Sequence, residues 1–383
     1  MKKNLLFWCP FLSNVGTISA TLKSAEALSH SNKFNCKIIN VFGEFDDYSQ
    51  IFKRKKIKEI KLIKNRFIKK IPKEGFFWSR LNYLLIFIFA LFPLFFYLKK
   101  NNKDILFVYL LSSLPFFVIS VFKLSNKIIF RISGKVKYNF LRKKIWSIAN
   151  DSILNVLIQT SFAKKQLIRE NIFNLDKIIY LVDPIINLKK INKLKKIKIQ
   201  KKFLNKQFYV AVGRLTRQKN FLFLISAIEI ILKKRNLNLL ILGEGEQRQE
   251  LENLIKEKKL ENRVFLVGFK KNIFSYIHKS EGLICSSLWE EPGFIIQEAA
   301  ACKKIILTSN CQSGPAEFLE FGKNGFIFLS GNHKSFKNNF SKMIRKRKLH
   351  RKMIENNMRK INNYSEKNFQ KKIYNLLNFT NNF

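Results

Sequence analysis

Two α/β domains, each built on a doubly wound parallel sheet, are what this sequence predicts. Short apolar runs alternate with amphipathic stretches through most of the chain, the pattern of successive βαβ units. A basic, glycine-free stretch at 186–206 interrupts the alternation and separates a less regular half from a very regular one. The 383 residues, 47% of them hydrophobic, suffice for two cores of ordinary size and exclude a disordered chain.

The first half opens on a strand at 4–10 (NLLFWCP) and a helix from Asn14 to Ser29, followed by a strand at 36–42. The run 51–70 is basic and poorly patterned. Strands follow at 104–110, 127–133 and 155–160, and KIIYLVDP (177–184) closes the half. In the second half the strands are 207–213, 237–243, 262–269, 282–287, 304–309 and 325–329. The helices between them are 220–235, 246–260, 272–280, 293–301 and 314–322. The connector 186–206 is a linker or a solvated helix. The tail from about 335 reads as a pair of charged, solvated surface helices. It carries no signature of nucleic-acid recognition, and no nucleic-acid partner is expected.

The N-terminal MKKNLLFWCPFLSN has a basic start and an apolar stretch, but Pro10 interrupts it and no small-residue cleavage site follows. A buried first strand is the expectation. Five cysteines with no CxxC pair argue for reduced thiols in a cytosolic protein. Lys and Arg number 72 against 26 Asp and Glu, a formal charge of +46. Part of that excess goes with a heavy general use of Lys, Asn, Ile and Phe. The remainder favours an anionic membrane surface, where each basic residue contributes about 1 kcal/mol.

LNYLLIFIFALFPLFFYL (81–98) holds 18 uncharged residues, the lower limit for a membrane span, and Lys99 and Lys100 follow it. Asn82 and Pro93 weaken it as a span. A span here would also put the two halves on opposite sides of the bilayer. The expectation is a helix lying buried or at a membrane surface.

The residues with chemical promise cluster in the second half. In WEEPGFIIQEAAA, Glu290 stands at the carboxyl end of a strand, where open α/β sheets bind ligands. Pro292 and Gly293 make the turn into a helix. The opening amides at Gly293 and Phe294 suit phosphate or hydroxyl oxygens, and Glu298 further along suits a ribose diol. In VGRLTRQKN, Gly213 ends a strand, and Arg214 and Lys219 flank the following turn. A guanidinium and an ammonium so placed can neutralise a diphosphate.

GRLTRQKN, LGEGEQRQELE, VFLVGF, SSLWEEPGFIIQEAAA and SGPAEFLEFGKNGFIF follow one another in that order. Together they resemble the donor domain of retaining family-4 glycosyltransferases, strongly over 205–330. The resemblance implies the GT-B fold, with two Rossmann-like domains facing each other across a cleft. It implies domains at 1–187 and 205–365, with a final helix at 366–383 returning to the first. It implies catalytic roles for Glu290, Arg214 and Lys219, the last two on the donor diphosphate. Glu298 would hold the ribose, Gly293, Phe294 and Ile295 the sugar or phosphate, and the segment after Gly268 and Phe269 the base. Gly213 would line the same site, and Gly16 in FLSNVGTISA would meet the diphosphate from the first domain. No metal and no cofactor are expected. The co-substrate would be a nucleotide diphosphate sugar, UDP-linked rather than GDP-linked.

The implied reaction moves a hexose or N-acetylhexosamine to a lipid-linked or oligosaccharide acceptor with retention of configuration. Its setting would be cell-surface polysaccharide or lipopolysaccharide synthesis at the cytoplasmic face of the cell membrane. Where many relatives carry a first-domain histidine, this chain has Ser112 and Ser113, and Arg131 of RISG is expected to face the cleft instead. The four histidines read as surface or packing residues. A nucleotide-sugar epimerase of the same fold and a membrane-spanning protein are the rival readings.

Overall fold

The computed structural model describes residues 2–10, 16–63, 76–109, 113–132, 136 and 138–379. The chain divides into two compact units, Met1–Ile185 with Tyr364–Phe383, and Ile186–Asn363.

The first unit carries strands β1 (Lys3–Trp8), β2 (Phe34–Asn40), β3 (Lys58–Lys61), β4 (Ile105–Tyr109), β5 (Ile128–Arg131), β6 (Ile153–Ile158) and β7 (Ile178–Tyr180). They form one parallel sheet in the order β3-β2-β1-β4-β5-β6-β7. Its helices are α1 (Gly16–Ser29), α2 (Ser49–Lys55), α3 (Phe76–Lys100), α4 (Leu114–Val121), α5 (Phe140–Ile148) and α6 (Ser161–Glu170). Leu5, Leu6, Phe7 and Trp8 are wholly buried, as a central strand covered on both faces requires. Right-handed crossovers put α3, α4 and α5 on one face of the sheet and α1 on the other. Contacts of α3 with α4 and of α4 with α5 agree with this. Helix starts are fixed locally: the side chains of Asn139 and Thr160 accept from Arg142 N–H and Ala163 N–H.

The second unit carries α7 (Leu188–Leu194), β8 (Phe208–Val212), α8 (Phe221–Lys234), β9 (Asn238–Leu242), α9 (Arg248–Glu257), β10 (Val264–Gly268), α10 (Phe274–Lys279) and β11 (Gly282–Cys285). It continues with α11 (Phe294–Ala301), β12 (Ile305–Ser309), α12 (Pro315–Phe318), β13 (Phe326–Phe328), α13 (His333–Arg345) and α14 (Arg347–Ile361). Its parallel sheet runs β10-β9-β8-β11-β12-β13. The last helix, α15 (Glu366–Phe379), belongs to the first unit and lies against α1.

Three features differ from the sequence reading. The unpatterned run 51–70 begins with α2 and β3, and its residues from 64 on lie outside the described ones. β3 is an edge strand with β2 as its one neighbour, so Lys58 and Lys61 stay exposed and no apolar run forms. The tail is not a solvated pair. Phe336, Phe340 and Met343 of α13 and Met353 of α14 join the second core, and Phe369, Ile373 and Leu377 of α15 are also buried. Arg131, expected to face the cleft, is held inside the first unit. It is 1% exposed and ion-paired with Asp183, its Nε donating at 3.3 Å to Oδ1. Ser112, Gly134 and the loop residues 11–15 lie outside the described residues.

All five cysteines are buried and unpaired. Burial pushes the thiols of Cys9, Cys36, Cys302 and Cys311 up to about 12. The native protein is therefore expected to leave Ellman's reagent unreacted at neutral pH. Denaturant should release all five thiols, so fast reaction of the native chain would contradict this packing.

Candidate active site

The strand order of the second sheet reverses between β8 and β11. From β8 the chain winds through β9 to β10, then crosses back to pair β11 on the other side of β8. At such a switch point the loops leave in opposite directions and open a crevice at the carboxyl ends of the strands. The loop after β8 carries Gly213, Arg214 and Lys219, and the loop after β11 carries Glu290.

Hydrogen bonds tie these two loops together. Ser286 Oγ donates to the Lys219 carbonyl at 2.7 Å, and Leu288 N–H donates to the Gln218 carbonyl at 2.8 Å. Gln218 Nε2 donates to the Trp289 carbonyl at 2.9 Å. Lys219 Nζ ion-pairs with Glu290 Oε1, which also accepts from Ser287 Oγ at 2.6 Å. Ser287 is held in turn by Ser309 Oγ, which donates to its carbonyl at 2.6 Å. Glu290 is 7% exposed. Burial pulls the Lys219 ammonium down, but the Glu290 charge and hydrogen bond outweigh it, and the lysine titrates above its ordinary value. Arg214 is exposed, yet close enough for its charge to oppose that of Lys219. Two cations therefore sit at one loop, one held rigidly by a buried carboxylate and one reaching into solvent.

Backbone approach shapes the floor. Gly213 N–H donates to the Leu242 carbonyl and Gly243 N–H to the Gly268 carbonyl, each at 3.0 Å. A Cβ on Gly243 would lie 1.8 Å from the Gly213 carbonyl oxygen. The stem of Lys219 crosses Gly213 so closely that a Cβ there would be 2.7 Å from Lys219 Cε. Gly293 caps α11 in the left-handed region (φ 81°) beside Glu290. The opening amides of α11, at Phe294 and Ile295, have no partner within the helix. Glu298 follows one turn after Phe294 and is half-buried.

Gly213, Arg214, Lys219, Glu290, Gly293 and the start of α11 thus come together at one crevice. Gly268 joins through Gly243. Phe269 stands 71% exposed beyond it, and Gly16 opens α1 in the first unit. Among the described residues no group of three or more His, Cys, Asp or Glu is placed to hold a metal ion. Three of the four histidines are accounted for elsewhere: His350 faces the Met343 carbonyl, His333 the ring of Phe223, and His30 the Glu366 carboxylate.

The sequence reading did not assign Gly243, Gly245, Ser286, Ser287 or Ser309. GEGE directly after a strand is a legible sign of close backbone approach. The serines carry no such sign, because their role depends on partners far along the chain.

Residues 192–360 match the family model described as glycosyl transferases group 1. An uncharacterized glycosyltransferase of Methanocaldococcus jannaschii is 31% identical over 43% of this chain and 41% of its own length. A Campylobacter jejuni relative is 37% identical over 33% of each chain. Its name is N-acetylgalactosamine-N,N'-diacetylbacillosaminyl-diphospho-undecaprenol 4-alpha-N-acetylgalactosaminyltransferase. The match thus spans less than half the length of either curated relative. The solved structure of Anabaena HepE in complex with UDP superposes with a TM-score of 0.75 at 14% identity, covering 99% of this chain and 100% of that one. The two parallel-sheet units are those of the GT-B fold.

Proposed function

We propose that this chain is a retaining family-4 glycosyltransferase. It moves a hexose or N-acetylhexosamine from a UDP-sugar to a lipid-linked or saccharide acceptor, at the cytoplasmic face of the cell membrane, in cell-surface polysaccharide or lipopolysaccharide synthesis. The observation that carries this reading is the Lys219–Glu290 pair at the switch point, with Arg214 beside it and a helix N-terminus opposite. The match of 192–360 to the group 1 family model supports the reaction class. The Campylobacter name, with its diphospho-undecaprenol acceptor, supports the lipid-linked acceptor, and UDP bound to HepE supports the nucleotide.

In this reaction the bond from the anomeric carbon to the β-phosphate oxygen breaks and a bond to the acceptor oxygen forms. Negative charge grows on the leaving diphosphate. Lys219 and Arg214 neutralise it, and the α11 amides add donors already in place. Glu290 fixes the direction of the Lys219 ammonium, and the leaving phosphate takes the acceptor's proton.

Thermal unfolding with UDP and with GDP tests the site. UDP at a hundred times its Kd should add about 2.7 kcal/mol of stability. Arg214→Ala, which removes an exposed side chain, should weaken UDP binding about tenfold, the cost of losing a charge-assisted contact. No shift with any nucleotide would sink the reading. Conversion of the donor sugar without an acceptor would identify an epimerase instead.

A further inference from the structure

The first unit has an apolar face that its own fold leaves uncovered. Helix α3 is long and apolar enough to cross a membrane, with a mean hydropathy of 2.2 over Leu81–Lys100, yet only 28% of its most apolar stretch is buried. Asn82, Ile86, Ala90, Leu94 and Leu98 make its buried row, and the last four of these belong to the first unit's core. Two positions round the helix, on the opposite side, Leu84 (55%), Ile88 (55%), Phe92 (60%) and Phe96 (64%) stand exposed. Phe95 meets Phe122, at the end of α4, with ring centroids 4.4 Å apart, and Phe122 and Val121 extend the apolar surface. This is a continuous patch rather than scattered surface residues.

Three things say what covers it. The helix packs its inner row into the first unit's core. The strands before and after it, β3 and β4, belong to the same parallel sheet, and its inner row is locked into the core, so it cannot stand across a bilayer. The rim is basic: Lys99, Lys100, Lys103 and Lys123 are exposed around it. Asp104 is the sole acidic residue between Phe76 and Asn150, and it is buried against Lys37. An apolar centre with a cationic rim suits an interface of acyl chains under anionic headgroups, whereas a second copy would bring the same cations together.

We propose that the outer row of α3, with the end of α4, seats this protein on an anionic lipid surface as a peripheral, non-spanning contact. This contact does not depend on the donor-site reading, and its test measures binding rather than transfer.

The full-length chain is floated with phosphatidylcholine vesicles and with vesicles containing phosphatidylglycerol. Wild type should bind the latter strongly, and less as salt rises. Leu84→Gln/Phe92→Gln/Phe96→Gln should bind about a hundredfold more weakly with an unchanged melting temperature, since it strips only exposed apolar surface. Lys99→Glu/Lys100→Glu/Lys123→Glu should lose the preference for phosphatidylglycerol, weakening binding by about tenfold or more. Equal binding to both vesicle types, or unchanged binding by the apolar variant, would overturn the proposal. So would protein retained in membranes after alkaline carbonate extraction, which means a span. A wild-type dimer dissolved by the same apolar variant would also overturn it, since a second copy would then be the occupant.

Discussion

Lys219→Met should lower sugar transfer by about 10²–10³-fold, the usual loss when one preorganised charge is removed from a developing anion. Methionine keeps an aliphatic stem across Gly213 and removes only the ammonium, so the close contact that shapes the loop survives. The same change strands Glu290, a carboxylate 7% exposed. Removing one partner of a buried ion pair costs about 3–5 kcal/mol. The lower end is expected here, because Ser287 Oγ still donates to Glu290 at 2.6 Å.

Glu290→Gln alone should be milder in stability, since Lys219 is less deeply buried than its partner, at 17% side-chain exposure, and can turn to water. Its transfer rate should still fall, because nothing then aims the ammonium. The double variant separates the two effects. Lys219→Met/Glu290→Gln should recover much of the stability lost by Lys219→Met but none of the activity. Equilibrium unfolding and a transfer assay with labelled UDP-sugars read the two quantities. Wild-type turnover by Lys219→Met would end the functional assignment. A double variant no more stable than Lys219→Met would show that the pair does not hold the site together.

The stability that the raised Lys219 adds should not vary with pH near neutrality. The folded-state value of Lys219 is raised, so the stability it adds is complete below the ordinary lysine value of 10.5 and is lost only as pH rises through the higher folded value.

How much of this was legible in the residues depends on burial and on distance along the chain. The strands Leu5–Trp8 and Leu239–Leu242 are covered on both faces, so they read as unbroken apolar runs. The edge strand β3 has one neighbour and keeps charged residues, so nothing marks it. The tail deceives in the opposite direction. Lys and Asn dominate its composition, while one apolar residue per turn suffices to anchor each helix, as Phe336, Phe340 and Met343 do in α13. At the site, motif and spacing bring Arg214, Lys219 and Glu290 forward one by one. That the lysine and the glutamate bind each other across 71 residues follows only from the strand order. Arg131 shows the limit most plainly. The family resemblance points Arg131 toward the cleft, and only the packing reveals Asp183 as its partner.

Gly243→Ala is the backbone counterpart of the charge experiment. The methyl group would sit 1.8 Å from the Gly213 carbonyl oxygen and 2.8 Å from its carbon, atoms that cannot rotate away as a side chain can. The ends of β8 and β9 must separate, straining the bonds from Gly213 N–H to Leu242 and from Gly243 N–H to Gly268. Overpacking costs about 1–3 kcal/mol and a weakened buried hydrogen bond about 1 kcal/mol more, so a total loss near 2–4 kcal/mol is expected. Because Gly213 precedes Arg214 and underlies Lys219, UDP affinity should fall along with stability. Gly331→Ala is the control: its φ of 72° carries the strain of the left-handed region, but no heavy atom lies within 4 Å of the new methyl. It should lose about 1 kcal/mol and leave UDP affinity unchanged. Equal losses for the two variants would mean that conformational strain, rather than the approach of β8 to β9, explains the glycine, and that the floor of the crevice is not built by that contact.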